Sequence, residues 1–201
     1  MSTVDTVSMN RAERRREQTL MQLRQAAMEV IFEEGYENLT IRAITERADL
    51  GYGTFYLYFA EKDDIVWDLM YHFAQAEAAR INELLADVPF PRREYLSWIE
   101  LFRFADANRA TFIPMLGTNG STVLQQRYVA WLAGIHEQNL REGTYSAALD
   151  VPVDFLAQFV SGALLRLIVW WLETPNAYTP ENMADMMYQT VYRQPPPKES
   201  N

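Results

Sequence analysis

Side chains able to do nucleophilic, acid–base or metal chemistry are few in this sequence. It holds two histidines, His72 and His136, and no cysteine. That excludes disulfides, thiolate nucleophiles and thiolate ligands, and leaves too little imidazole for a zinc site or a histidine-based catalytic set. Glu94 and Glu100 are carboxylates on one helical segment and read as solvated charges, not as an acid–base pair. His136 reads as a packed or exposed histidine ahead of a ligand-orienting one. Beyond residue 91 there is no nucleotide-binding glycine loop, no Gly-x-Ser-x-Gly elbow and no His-Glu-x-x-His. No enzyme, metal or cofactor is expected.

The elements that would carry any binding chemistry are helical. The chain has 201 residues, 49% hydrophobic and 22% charged, enough to bury a core without disulfides or a structural metal. Period-2 runs of β-branched residues are almost absent, while 3.6-residue patterns recur throughout. Leu20, Leu23, Ala27, Val30 and Ile31 line a first helix that Gly35 stops. Thr40 is an N-cap for a short second helix with Ile41, Ile44 and Ala48 inward. After Asp49, residues 52–59 form another short segment. A long helix over 62–88 ends at Pro89 and Pro91, which cannot continue it. Helices are expected over 92–108, 110–116, 121–142, 152–173 and 180–192, followed by a proline-rich tail.

Residues 35–62, GYENLTIRAITERADLGYGTFYLYFAEK, are the most informative stretch. Two short helices joined by a tight turn and braced by longer ones describe a DNA-binding helix-turn-helix. Asp49 sits in the turn, where a left-handed backbone is often required and Asp tolerates it better than most residues. The residues also resemble the TetR family of bacterial transcriptional regulators. The resemblance lies in Gly35-Tyr36, in Leu39-Thr40-Ile41 with Ile44 and Ala48, and in Thr54-Phe55-Tyr56-Leu57-Tyr58-Phe59 followed by Lys62, about a quarter of the chain.

That resemblance implies roles for individual positions. Thr40, Thr54, Tyr56 and Lys62 match positions that contact DNA phosphates. Tyr52 and Gly53, behind Gly51 at the start of the recognition helix, would read bases, as would Arg42, whose fork suits a guanine edge. The pattern departs from the family's at Asp49 in place of Gly, at Gly51 in place of a capping Ser, at Leu57-Tyr58, and at Glu61 beside Lys62. Phe55 and Phe59 read as core. Residues 11–16, RAERRR, read either as an arm reaching DNA or as a basic extension of the first helix. Residues 1–62 carry eight Lys and Arg against ten Asp and Glu, within a formal net charge of −9 for the chain. DNA binding would therefore rest on a few placed cations and be steeply salt-dependent.

The second half is rich in aromatic mass. A domain of this kind resembles a cavity for a small, largely apolar effector, with Trp98, Phe102, Tyr128, Trp131 and Phe159 as its expected lining. The helix at 152–173 is apolar on nearly all sides and should be buried all round, as a central helix or against a two-fold mate. In a TetR-like protein the last two helices pair as a four-helix bundle, with Met183, Met186, Met187 and Val191 completing the seam. Trp170-Trp171-Leu172-Glu173 followed by Tyr178-Thr179-Pro180-Glu181 resembles the ending of one regulator subgroup.

The expectation is an all-α protein of about nine helices. It comprises a flexible basic arm over 1–14, a three-helix helix-turn-helix domain over 15–62, an effector-binding and dimerisation domain over 63–193, and a tail over 194–201. Its function would be a ligand-responsive, DNA-binding transcriptional regulator. It would be a cytoplasmic homodimer acting as a repressor, released from a pseudo-palindromic double-stranded operator by a small apolar effector. The alternative is a small-molecule-binding helical protein whose helix-turn-helix no longer binds DNA. No secretory segment is read at residues 1–20. The apolar run at 151–172 carries Asp154, Gln158 and Arg166, so no membrane partner is expected.

Overall fold

The computed structural model describes residues 10–143, 151–175 and 177–197, and these form an all-helical protein of two compact units divided after Leu69. Part of the expected arm and Lys198 lie outside the described residues.

The first unit opens with α1 (Arg11–Glu34). Asn10 accepts from the backbone N–H groups of Ala12 and Glu13, and Glu13 accepts from the Asn10 N–H, a reciprocal capping box. Residues 11–14, expected in a flexible arm, are therefore helical, because Asn10 is a better N-cap than the residues that follow it. Gly35 ends α1 at φ 88°, a backbone conformation that strains any side chain. A 3₁₀ turn at Tyr36–Asn38 leads to α2 (Ile41–Arg47), whose Ala43 N–H donates to the Thr40 hydroxyl at 3.0 Å. Asp49 turns the chain at φ 53°, and α3 (Tyr52–Phe55) follows. It is shorter than the expected 52–59, and residues 56–58 continue as a turn.

Leu23, Leu39, Ile44, Phe55 and Ile65 are fully buried together with Val66. Each large side chain contributes about 1.5–3 kcal/mol by leaving water. Arg24 Nε and Nη2 donate to both oxygens of Asp68, at 2.6 and 2.9 Å, which fixes α1 against α4 (Lys62–Leu84). Asp64 caps the start of α4 by accepting from the N–H groups of Ala60 and Glu61.

In the second unit the later part of α4 is followed by α5 (Arg92–Ala107), α6 (Arg109–Leu116), α7 (Thr122–Arg141), α8 (Val153–Glu173) and α9 (Pro180–Tyr192). Ser121 and Thr179 cap α7 and α9. Pro152 stands at the N-cap of α8 rather than inside its first turn. α7 packs chiefly on α8, and α5 on α9. The Glu173 carboxylate accepts from the N–H and the hydroxyl of Thr118, tying the end of α8 to the α6–α7 loop. A Cβ at Gly117 would stand 2.3 Å from the Ile113 carbonyl oxygen, so this loop closes only with glycine there.

Within this chain α8 is not buried all round: Phe155 and Phe159 are 60% and 51% exposed, and Trp170 is also exposed, which excludes the central-helix alternative and leaves that of a two-fold mate. Only the side carrying Leu156, Val160, Leu164 and Ile168 faces the rest of the unit. The helix is long and apolar enough to cross a membrane by length and composition, yet 56% of that window is already buried inside the fold. Glu94, expected in solvent, is 2% exposed. Glu100, also expected in solvent, has a side chain only 14% exposed and lies in an ion-pair network with Arg80 at 2.7 Å and Arg103 at 2.8 Å.

Candidate nucleic-acid interface and effector cavity

In the first unit α2 and α3 present a polar surface while burying Ile44, Thr45 and Phe55 behind it. Thr40, Arg42, Gly51, Tyr52, Gly53 and Tyr56 are all exposed, and Thr54 and Lys62 are half-buried. Tyr52 and Tyr56 stand four residues apart and meet edge to face, with centroids 5.6 Å apart and their hydroxyls 3.1 Å apart. This mutual hydrogen bond raises the Tyr56 phenol above its ordinary pKa, so it remains a protonated donor. Gly53 has open space where a Cβ would stand, so nothing masks the backbone of the short helix.

Lys62, the first residue of α4, sits 4.7 Å over the Tyr36 ring, while the Tyr36 hydroxyl donates to Asp63 at 2.5 Å. The ammonium is thereby held at a defined place by a cation–π contact. Arg42 is more constrained than its exposure suggests. Its Nε donates to Glu46 Oε1 at 2.8 Å, an i,i+4 pair, so reading a base requires it to exchange this carboxylate for a base edge.

The partner of the basic residues at the start of α1 escaped sequence reasoning. Arg11, Arg15, Arg16 and Thr19 form a groove with Tyr58. The Tyr58 hydroxyl donates to the Arg16 carbonyl at 3.2 Å, and the Arg16 guanidinium lies 5.9 Å over the Tyr58 ring. The spacing of Arg11 and Arg15, four apart on α1, was the available signal. Their partner was not, because it lies more than forty residues away in sequence.

The second unit contains a cavity of about 450 Å³ between α4, α5 and α7. Ala74, Ala78 and Ile81 of α4 form one wall, Trp98, Leu101 and Phe104 of α5 another, and Tyr128, Trp131 and Ile135 of α7 a third. Of the five expected lining residues it brings together Trp98, Tyr128 and Trp131. Phe102 is instead fully buried, edge-on to Trp171 with centroids 5.7 Å apart, and Phe159 points out from α8. Aromatic mass signals a cavity without revealing which rings face it. A second, more open groove of about 590 Å³ lies along α7 and α8. Its lining includes Gln125, Gln126, Gln158 and Arg166 and none of the five.

His136, buried on α7, shares a 2.8 Å hydrogen bond between Nδ1 and the Ser161 hydroxyl. Burial lowers its pKa to about 4, so it is a neutral imidazole at ordinary pH. Burial likewise pushes Glu94 up to about 7, only partly offset by the hydrogen bond from Tyr192. No group of three or more metal-ligating side chains occurs among the described residues.

Comparison with known proteins agrees with this architecture. Residues 23–68 match the family described as bacterial regulatory proteins, tetR family, and residues 96–193 match a transcriptional regulator C-terminal region. The chain is 26% identical over 171 residues to the fatty acid metabolism regulator protein of Bacillus subtilis (strain 168), an alignment covering 79% of this chain and 86% of that one. Among solved structures, RolR in complex with resorcinol aligns with a TM-score of 0.66 at 22% identity, covering 89% of both chains. Thermus thermophilus FadR, a TetR family repressor in complex with lauroyl-CoA, aligns at 0.62 and 18% identity, covering 86% of this chain and 91% of that one. The chain belongs to the TetR family and is a transcriptional regulator of that family.

Proposed function

We propose that this protein is a ligand-responsive repressor that binds a pseudo-palindromic operator as a homodimer and leaves it when a small, largely apolar molecule enters the α4–α5–α7 cavity. The observation that carries the reading is α4 itself. One continuous helix begins at Lys62, beside the helix-turn-helix, and lines the cavity with Ala74, Ala78 and Ile81. A ligand that displaces this wall acts on the helix that also carries a DNA-contacting cation, which gives binding at one place an energetic effect at the other.

On DNA, Thr40, Thr54, Tyr56 and Lys62 would hold phosphates, the groove of Arg11, Arg15 and Arg16 would add cations, and Arg42, Tyr52 and the backbone at Gly51 and Gly53 would meet base edges. Phosphate contacts set register and affinity, whereas the base edges set sequence. A second copy would cover the exposed Phe155, Phe159 and Trp170 of α8 together with Met186 of α9, since such apolar patches mark association surfaces; Met183, Met187 and Val191, also expected in the seam, are buried within the chain itself. Two-fold pairing would place the recognition helices on half-sites ~34–36 Å apart or a multiple of that.

The cavity supports an uncharged ligand. Its walls are aromatic and aliphatic, and its charged lining consists of Arg93 against Glu77 and Glu142. FadR relatives crystallised with acyl-CoA and RolR with resorcinol show that this fold accepts both an acyl thioester and a small phenol. For this chain the acidic balance of the lining argues against a polyphosphate head. The test is operator titration with and without a ligand found by thermal-shift screening of small apolar compounds. The reading predicts that the ligand weakens DNA binding and that DNA weakens ligand binding by the same factor. Equal DNA affinity with and without a bound ligand would overturn it.

A further inference from the structure

The wall that Trp98 and His136 contribute to the effector cavity has a second side. There, Glu94 and Trp98 from α5, His136 from α7, Leu156 from α8, and Val191 and Tyr192 from α9 enclose a notch of about 20 Å³. That is room for about one oxygen atom with its hydrogen. Two of its lining residues each carry a buried polar atom with no hydrogen-bond partner among the described residues: Glu94 Oε2, whose companion oxygen accepts from the Tyr192 hydroxyl, and the indole Nε1 of Trp98. Both residues are almost completely buried, at 2% and 3% exposure. Glu94 and Trp98 are four apart on α5, so an acceptor and a donor occupy the same helical face. A buried pair left unsatisfied in this way is costly, and a cluster of otherwise paired groups does not explain it.

We propose that this notch joins the cavity past Trp98 and His136, which line both, and takes a hydroxyl group of the ligand, which donates to Glu94 Oε2 and accepts from the Trp98 indole N–H. The inference rests on the cavity being the effector site. The choice of hydroxyl follows from the two orphan atoms. Above pH 7, where Glu94 is ionised, a carboxylate would bring a second negative charge against it. An ammonium would satisfy Glu94 and leave the indole N–H unpaired, and a carbonyl would do the reverse. A hydroxyl meets both with one oxygen, and the notch has space for no more. The neighbouring His136 is anchored by Ser161 and lends shape to the notch without adding charge. The effector class is accordingly an alcohol or phenol on an apolar body, with the body between Tyr128, Trp131 and the α4 wall.

The test compares 4-pentylphenol with pentylbenzene, identical except for the hydroxyl, by isothermal titration of the full-length protein at pH 8, where Glu94 is ionised. The same titrations are run on Glu94→Met, which removes the acceptor at similar bulk, and on Trp98→Phe, which removes the donor. Wild type is expected to prefer the phenol by on the order of tenfold to a hundredfold, the effect of satisfying a buried acceptor and donor. Either variant should lose most of that preference. The Trp98 indole ¹H–¹⁵N resonance, identified by its loss in Trp98→Phe, should move downfield with the phenol and not with the hydrocarbon. Equal affinity for the two compounds in wild type, or a preference that survives both variants, overturns the notch and leaves the cavity reading intact. Failure of both compounds to bind overturns the cavity reading and the notch with it.

Discussion

Glu94 and His136 predict a pH profile of stability in which two opposed slopes mask one another. Burial raises Glu94 from 4.5 to about 7 in the folded protein. Between those values the native state holds a proton that the unfolded state has released, so stability falls as pH rises and reaches its lower plateau above 7. The difference is worth about 3 kcal/mol. Burial lowers His136 from 6.5 to about 4. Between those values the unfolded state holds the extra proton, so stability rises with pH, again by about 3 kcal/mol. The two trends oppose each other from 4.5 to 6.5 and leave only the tail of the Glu94 slope up to pH 7. The assay is urea unfolding at fixed protein concentration from pH 4 to 8 for wild type, Glu94→Gln and His136→Gln. Relative to wild type, Glu94→Gln should gain stability as pH rises from 4.5 to 7. His136→Gln should lose it as pH rises from 4 to 6.5. Differences between each variant and wild type cancel the background of exposed carboxylates. If each variant's curve runs parallel to wild type, displaced by a constant, the burial argument for both groups is wrong.

Other substitutions separate the proposed roles. Tyr56→Phe should weaken binding to specific and random duplexes by the same factor, whereas Arg42→Ala should cost roughly 1–3 kcal/mol at one base position and relax selectivity there, as read by fluorescence anisotropy; equal losses on both duplex types for the two variants would remove Arg42 from base reading. Ala78→Phe should fill the cavity, abolishing the response to ligand in operator titrations while DNA affinity without ligand stays near wild type. Phe159→Glu should place a charge on the exposed face of α8 and shift the species measured by analytical ultracentrifugation from dimer to monomer, with loss of operator affinity. A stable dimer of this variant would move the association surface elsewhere.

Much of the architecture was legible because its punctuation is local. Gly35, Thr40, Asp49, Ser121 and Thr179 each act within a few residues of themselves, and the structure finds them at a helix end, three N-caps and a left-handed turn. Direction was harder to read. Phe102 and Phe159 sit on helices with apolar residues on several sides, so periodicity did not distinguish core, cavity and surface. Glu94 was misread because it follows Arg92 and Arg93 at the start of a helix, where solvated charge is the rule. Its phase was nonetheless informative: Glu94, Trp98 and Phe102 recur every four residues, which puts the carboxyl on the buried stripe. The Arg42–Glu46 pair was also visible as an i,i+4 spacing, but its bearing on base reading emerged only when Arg42 was seen engaged.

The central claim is sequence-specific DNA recognition by a two-fold dimer, and selection of binders from random duplex DNA by the purified protein tests it most directly. The selected duplex is then titrated at two salt concentrations. The account predicts a two-fold symmetric site whose affinity falls steeply with salt, since few cations on an acidic chain must neutralise the phosphates. A folded dimer that enriches no sequence would contradict it and leave a ligand-binding protein whose helix-turn-helix does not read DNA.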